Sequence, residues 1–144
     1  MRETKFRAWD KKEKRMSKPF EIGDLTGYEG EGGSWVFYQE RDGDDTFDFS
    51  NNNKSLLSNI ELLQYTGLKD KNKIEGYFSD IVKFQFTTSK CYGNPTTIDL
   101  VGEIKENSHC HSCIMVKSKE YNIDNIFNGE IIGNIYENPE LLKQ

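Results

Sequence analysis

The chain has little of what enzymes and membrane proteins are recognised by. It holds three cysteines, two histidines and three prolines in 144 residues. A small, odd number of cysteines makes no disulfide framework, which fits free thiols in a reducing cytosol. Both histidines sit inside the short stretch Ser108–Cys113, which makes a Ser/His/Asp triad improbable. There is no P-loop, no Gly-x-Ser-x-Gly and no His-Glu-x-x-His. Carboxylate pairs stay open because 24 acids allow many combinations, but the reading is of a non-enzyme that needs no cofactor. No apolar run approaches the roughly 18 residues that cross a bilayer, and the opening MRETKFRAWDKKEKR lacks the apolar stretch of a signal peptide. The expectation is a protein that stays in the cytoplasm, away from membranes.

What the chain does have is aromatic mass and a split charge pattern. Nine Phe, seven Tyr and two Trp can build a core even at 35% hydrophobic residues. Net charge is -5, unevenly spread. Residues 1–18 carry eight Lys or Arg against three acids, whereas from Glu21 to Asp48 nine acids face one base, Arg41. Charge runs are usually solvated faces, and two adjoining patches of opposite sign partly neutralise each other. The functional account keeps one patch available to a partner.

Local patterns read mainly as strands. Thr4–Trp9 alternates with period two, and Asp10–Glu13 supplies a polar turn before Met16, which gives a hairpin. Residues 22–33 hold five glycines and little periodicity and read as a loop. Ser34–Gln39 and Thr46–Phe49 flank Asp42-Gly43, a strong hairpin signal because glycine accepts the positive φ of a tight turn. Leu56, Leu57, Ile60 and Leu63 suit a helical face, yet Ile60–Tyr65 also suits a strand, and the pattern does not decide. Strands are expected at Asp80–Phe86, Thr97–Lys105, Ile114–Lys117 and Glu130–Tyr136, with a polar turn at Lys69–Asn72. Asn138-Pro139-Glu140 starts a short helical turn, with Asn as cap and Pro in the first position. The fold class is therefore mainly β: an N-terminal β-hairpin region over residues 1–53, a C-terminal region of small barrel or sheets over 54–144, and a boundary near Asn51–Asn53.

Three clusters invite chemical readings. Cys110 and Cys113 form a Cys-x-x-Cys pair that, with Cys91 and either His109 or His111, would make four zinc ligands. A structural zinc site more often pairs two such knuckles, and a thioredoxin-like use needs a helix N-terminus after a strand, so the favoured reading is a polar β-turn and no metal. Asp42, Asp44, Asp45 and Asp48 are spaced like part of a calcium loop, but no Glu closes twelve residues, and a charged hairpin turn is preferred. Arg7, Trp9, Lys11 and Lys14 would suit single-stranded nucleic acid by phosphate contact and stacking, against which stands a pI near 5.1. Trp9 reads more simply as a core anchor.

Lys5–Asp10 with Met16, Gln64–Asn72 and Ile132–Leu142 together resemble the opening, central signature and ending of the YopX family of bacteriophage and prophage proteins. The resemblance implies an SH3-like barrel in the C-terminal part and phage ancestry, and it carries no catalytic residues to transfer. In Glu75–Val82, Ser79 replaces the family's usual glycine, although Ser tolerates a positive φ less well. Residues 18–58 lie outside the resemblance. The leading expectation is an interaction protein in the host bacterial cytosol that binds a host or phage protein through Glu40, Asp42, Asp44, Asp45 and Asp48. A nucleic-acid-binding module built on the basic first strand, and self-assembly into a homo-oligomer, are the two alternatives.

Overall fold

The structure, a computed structural model, describes residues 5–11, 13–21, 60–88, 93–109 and 111–143, together with the strand backbones of 26–29, 35–40 and 46–48. It is mainly β and divides into two compact units, Thr4–Gln64 and Tyr65–Gln144. The change of unit falls inside one strand. The boundary expected near Asn51–Asn53 lies outside the described residues.

In Thr4–Gln64, β1 (Phe6–Asp10) pairs antiparallel with β2 (Arg15–Met16) on one side and with the first half of β6 (Ile60–Lys69) on the other. The alternation seen in the sequence does not give a half-buried strand, since Ala8, Trp9 and Asp10 are buried in succession and both faces of β1 are covered. Ala8 is fully buried with Phe20 and Ile60, and Phe6 packs against them. Phe6 and Phe20 exchange both backbone hydrogen bonds at 2.8 Å, with ring centroids 6.3 Å apart. The β1–β2 turn is closed by Asp10, whose carbonyl accepts from the Lys14 amide at 2.9 Å and whose Oδ1 accepts from the Glu13 amide at 3.0 Å. Trp9 is buried, as a core anchor would be.

The same unit holds a three-stranded antiparallel sheet in the order β3 (Thr26–Glu29), β4 (Trp35–Glu40), β5 (Thr46–Asp48). The β4–β5 hairpin is the one signalled by Asp42-Gly43. β3 corrects the sequence reading, which took residues 22–33 as a loop. Its ladder to β4 runs through Gly27, opposite Phe37, and a glycine in a strand erases the side-chain pattern without preventing backbone pairing.

In Tyr65–Gln144, the second half of β6 pairs with β7 (Glu75–Tyr77), and a five-stranded antiparallel sheet follows in the order β11-β10-β9-β8-β12. Its strands are β8 (Asp80–Thr88), β9 (Thr96–Glu106), β10 (Ser112–Val116), β11 (Lys119–Asn122) and β12 (Glu130–Asn134). Four strands meander, a 3-10 helix at Ile123–Asn128 turns the chain, and β12 returns to pair with β8, which curls the sheet into a half-barrel. Val82, Phe84, Ile104, Ile114 and Ile126 form its buried core, each contributing about 1.5–3 kcal/mol by leaving water. Position 102 needs glycine because a Cβ there would lie 2.7 Å from the Met115 carbonyl oxygen and 2.8 Å from a methyl of Ile114.

The turns carry the polar burial. Asp70, at the β6–β7 turn, accepts from the amides of Asn72 (2.8 Å) and Ile74 (3.0 Å) through Oδ1 and of Ile131 (2.8 Å) through Oδ2. Asp80 Oδ2 accepts from the Tyr77 amide at 2.9 Å. Asn134 Oδ1 accepts from the amides of Tyr136 and Glu137. Asn138 corrects a second expectation. Its side chain makes no cap bond to the terminal 3-10 turn Pro139–Leu142; it accepts from the Asn134 amide at 3.4 Å and fills the space where a Cβ on Gly133 would come within 2.4 Å of it.

Ser79 has φ 74°, the left-handed region that costs an L-residue about 1–2 kcal/mol. Its amide donates to the Ile104 carbonyl at 2.9 Å and its carbonyl accepts from the Ile135 amide at 3.0 Å, so the surrounding ladder holds it there. Ser79→Gly is therefore expected to stabilise the protein by about 0.5–1 kcal/mol in urea unfolding, after allowing for the greater freedom of glycine in the unfolded chain.

Candidate functional site

Two of the acidic candidates end paired strands. Glu40 ends β4 opposite Thr46, and Asp48 ends β5 opposite Tyr38. Asp42, Asp44 and Asp45, between these strands in sequence, lie outside the described residues. The basic candidates share one strand and its turn. Trp9, at 5% exposure, is not presented for stacking without local opening. Lys11 pairs with Glu61 at 2.8 Å, both half-exposed, and Lys14 occupies a left-handed turn position with φ 57°. Arg7 is half-buried on β1 opposite Leu63.

The cysteine stretch forms the connection between β9 and β10. Asn107 organises it: its Oδ1 accepts from the amides of His109 (2.9 Å) and His111 (3.1 Å), and its own amide donates to the His111 carbonyl. His109 is exposed with Nδ1 3.3 Å from Ser108 Oγ. Cys113 is buried on β10 opposite Lys105, and burial pushes its thiol pKa up, the opposite of what a nucleophilic or metal-binding thiolate needs. Cys91 and Cys110 lie outside the described residues. Among the described residues no group of three or more His, Cys, Asp or Glu is arranged to hold a metal ion.

The Tyr65–Gln144 unit contains a groove of about 790 Å³ that the sequence did not announce. Its apolar lining comes from Leu100, Val101, Met115, Val116, Tyr121, Leu141 and Leu142, and its charged lining from Asp99, Glu103, Lys105, Lys117 and Lys119. Strand periodicity explains part of this mixture. Asp99, Val101, Glu103 and Lys105 alternate along β9 with the core-facing Leu100, Gly102 and Ile104. Lys117 and Ser118 make the two-residue turn between β10 and β11, since Val116 is paired with Lys119. Lys119 Nζ stands 5.2 Å from the Tyr121 ring centroid, and Tyr121 meets Phe84 and Phe86 edge-on at 5.6 and 4.9 Å. The available signal was the charge alternation in Glu103-Ile104-Lys105 and the pair of lysines around Ser118.

Glu103 is the perturbed acid of the groove. Burial pushes its carboxyl above the ordinary 4.5, and Lys105, 4.0 Å away, offsets part of the effect.

The chain is thus a mainly β protein with a curled half-barrel in its C-terminal unit. The YopX protein family model matches residues 5–143, and the chain belongs to that family. The crystal structure of protein EF1440 from Enterococcus faecalis is similar in fold, with a TM-score of 0.59 at 24% identity and 99% of each chain covered. No curated protein matches the sequence.

The raised carboxyl of Glu103 gives a pH signature. Between 4.5 and its raised value the folded chain holds a proton that the unfolded chain has released, so the contribution is present below that window and lost as pH rises through it. Glu103→Gln should raise Tm at pH 7 and leave it unchanged at pH 3, as read by thermal unfolding at the two pH values.

Proposed function

We propose that this protein is a non-enzymatic interaction protein of phage or prophage origin, acting in the host cytosol and capturing a host protein through the acid-rich stretch Glu21–Asp48. The observation that carries the reading is a concentration of negative charge along the sequence: Glu40 and Asp48 end strands that pair, and the five residues between those strands in sequence include Asp42, Asp44 and Asp45. Such a surface suits a basic patch of the kind that host proteins use for nucleic acid, and it would compete with DNA or RNA there. Complementary charge of this sort acts mainly on association rate and selectivity. The half-barrel is read as an SH3-like module, supported by its meander, 3-10 helix and returning fifth strand.

The buried carboxylates of the C-terminal unit support a binding role over catalysis. Asp70 and Asp80 are committed to backbone amides, which uses their acceptor capacity in holding turns. The basic-strand alternative is weakened by the burial of Trp9 and the Lys11–Glu61 pair.

The test is affinity capture from a host lysate, with and without nuclease, using the wild-type chain and a variant carrying Asp42→Asn, Asp44→Asn, Asp45→Asn and Asp48→Asn. Capture of a basic protein should persist after nuclease, weaken with salt and fall about tenfold in the variant. Equal capture by the variant would remove the acidic-surface reading, and capture abolished by nuclease would favour nucleic acid.

A further inference from the structure

We propose that the groove between β9, the β10–β11 turn and the terminal 3-10 turn is a docking site for an extended acidic segment of a partner protein, with Lys117 and Lys119 as its recognition cations. It is a second surface, in the Tyr65–Gln144 unit, and does not depend on the acidic hairpin of Thr4–Gln64.

The charge layout selects the occupant. Of the three lysines that line the groove, Lys105 is engaged with Glu103 at 4.0 Å. Lys117 and Lys119 are exposed and have no ion pair among the described residues. Lys119 is instead steadied over the Tyr121 ring. Two cations in the same lining as the apolar Val101, Met115 and Leu142 match a polypeptide that alternates acids with an apolar side chain. A continuous phosphate backbone fits less well, because the apolar part of the lining offers phosphate nothing.

The backbone at Lys117 is an independent observation. Its φ of 55° is left-handed, in a two-residue turn whose favoured occupant is glycine. A lysine there costs stability, and such strain tends to be kept where the side chain is used. Lys14 and Lys73 share the conformation, but neither lines this groove. Replacing Lys117 by glycine therefore removes the cation and relieves the strain together, so folding and binding should move in opposite directions.

The experiment pans a displayed random-peptide library on the immobilised full-length chain, then compares the enriched peptides on wild type and Lys117→Gly by fluorescence anisotropy. The expected result is net-acidic peptides carrying Leu, Phe or Trp, bound about threefold more weakly by Lys117→Gly, whose Tm is higher than that of wild type. No enrichment, enriched peptides without acids, or equal binding by the variant would overturn the proposal. So would self-association that is lost in Lys117→Gly by light scattering, which would make a second copy the occupant. Binding of an oligo-dT strand in place of peptides, lost in the same variant, would make the groove a nucleic-acid site and overturn it likewise.

Discussion

The C-terminal unit depends on one buried carboxylate. Asp70 closes its own turn through the amides of Asn72 and Ile74, and its other oxygen takes the amide of Ile131 at the start of β12. β12 is the strand that returns to β8 and curls the sheet, so a side chain in the β6–β7 turn fixes where the half-barrel closes. The link is reinforced by the backbone, since the Lys71 amide donates to the Gly129 carbonyl at 3.1 Å. A charged acceptor with three amide donors is among the stronger polar arrangements a small protein can bury.

Much the same holds for Lys5–Asp10, Gln64–Asn72 and Ile132–Leu142. In Lys5–Asp10, Phe6 and Ala8 supply core and Asp10 closes a turn. In Gln64–Asn72, Thr66 donates to the Gly76 carbonyl at 2.7 Å and Asp70 ties down the turn. In Ile132–Leu142, Gly133 makes room for Asn138, while Asn134 caps the backbone that follows it. These three stretches are therefore rich in residues that define turns and strand ends. The groove argued to bind a partner draws Leu141 and Leu142 from the last of these stretches and the rest of its lining from β9 and the β10–β11 hairpin.

How much of this was legible depended on whether the physics was local. The β4–β5 hairpin could be read from Asp42-Gly43 because a tight turn needs a residue that accepts positive φ. β8 could be read because Val82 and Phe84 alternate with Lys83 and Gln85. β3 and β11 could not: Gly27 breaks one pattern, and Lys119-Glu120-Tyr121-Asn122 is a polar edge without alternating burial. The polar stretch Lys69–Asn72 announced a turn but not that its aspartate reaches an amide 61 residues later. The groove was invisible for the same reason, since it joins β9, a turn and the chain's last 3-10 residues, which only folding brings together.

The most direct test of this account is urea unfolding of Asp70→Asn, with amide exchange followed at Ile131. The asparagine keeps one carbonyl oxygen for the turn but cannot accept with both side-chain atoms, so one of the three amides loses its partner. The account predicts a loss of about 2–3 kcal/mol together with faster exchange at Ile131. Stability within about 0.5 kcal/mol of wild type, with Ile131 still protected, would contradict it.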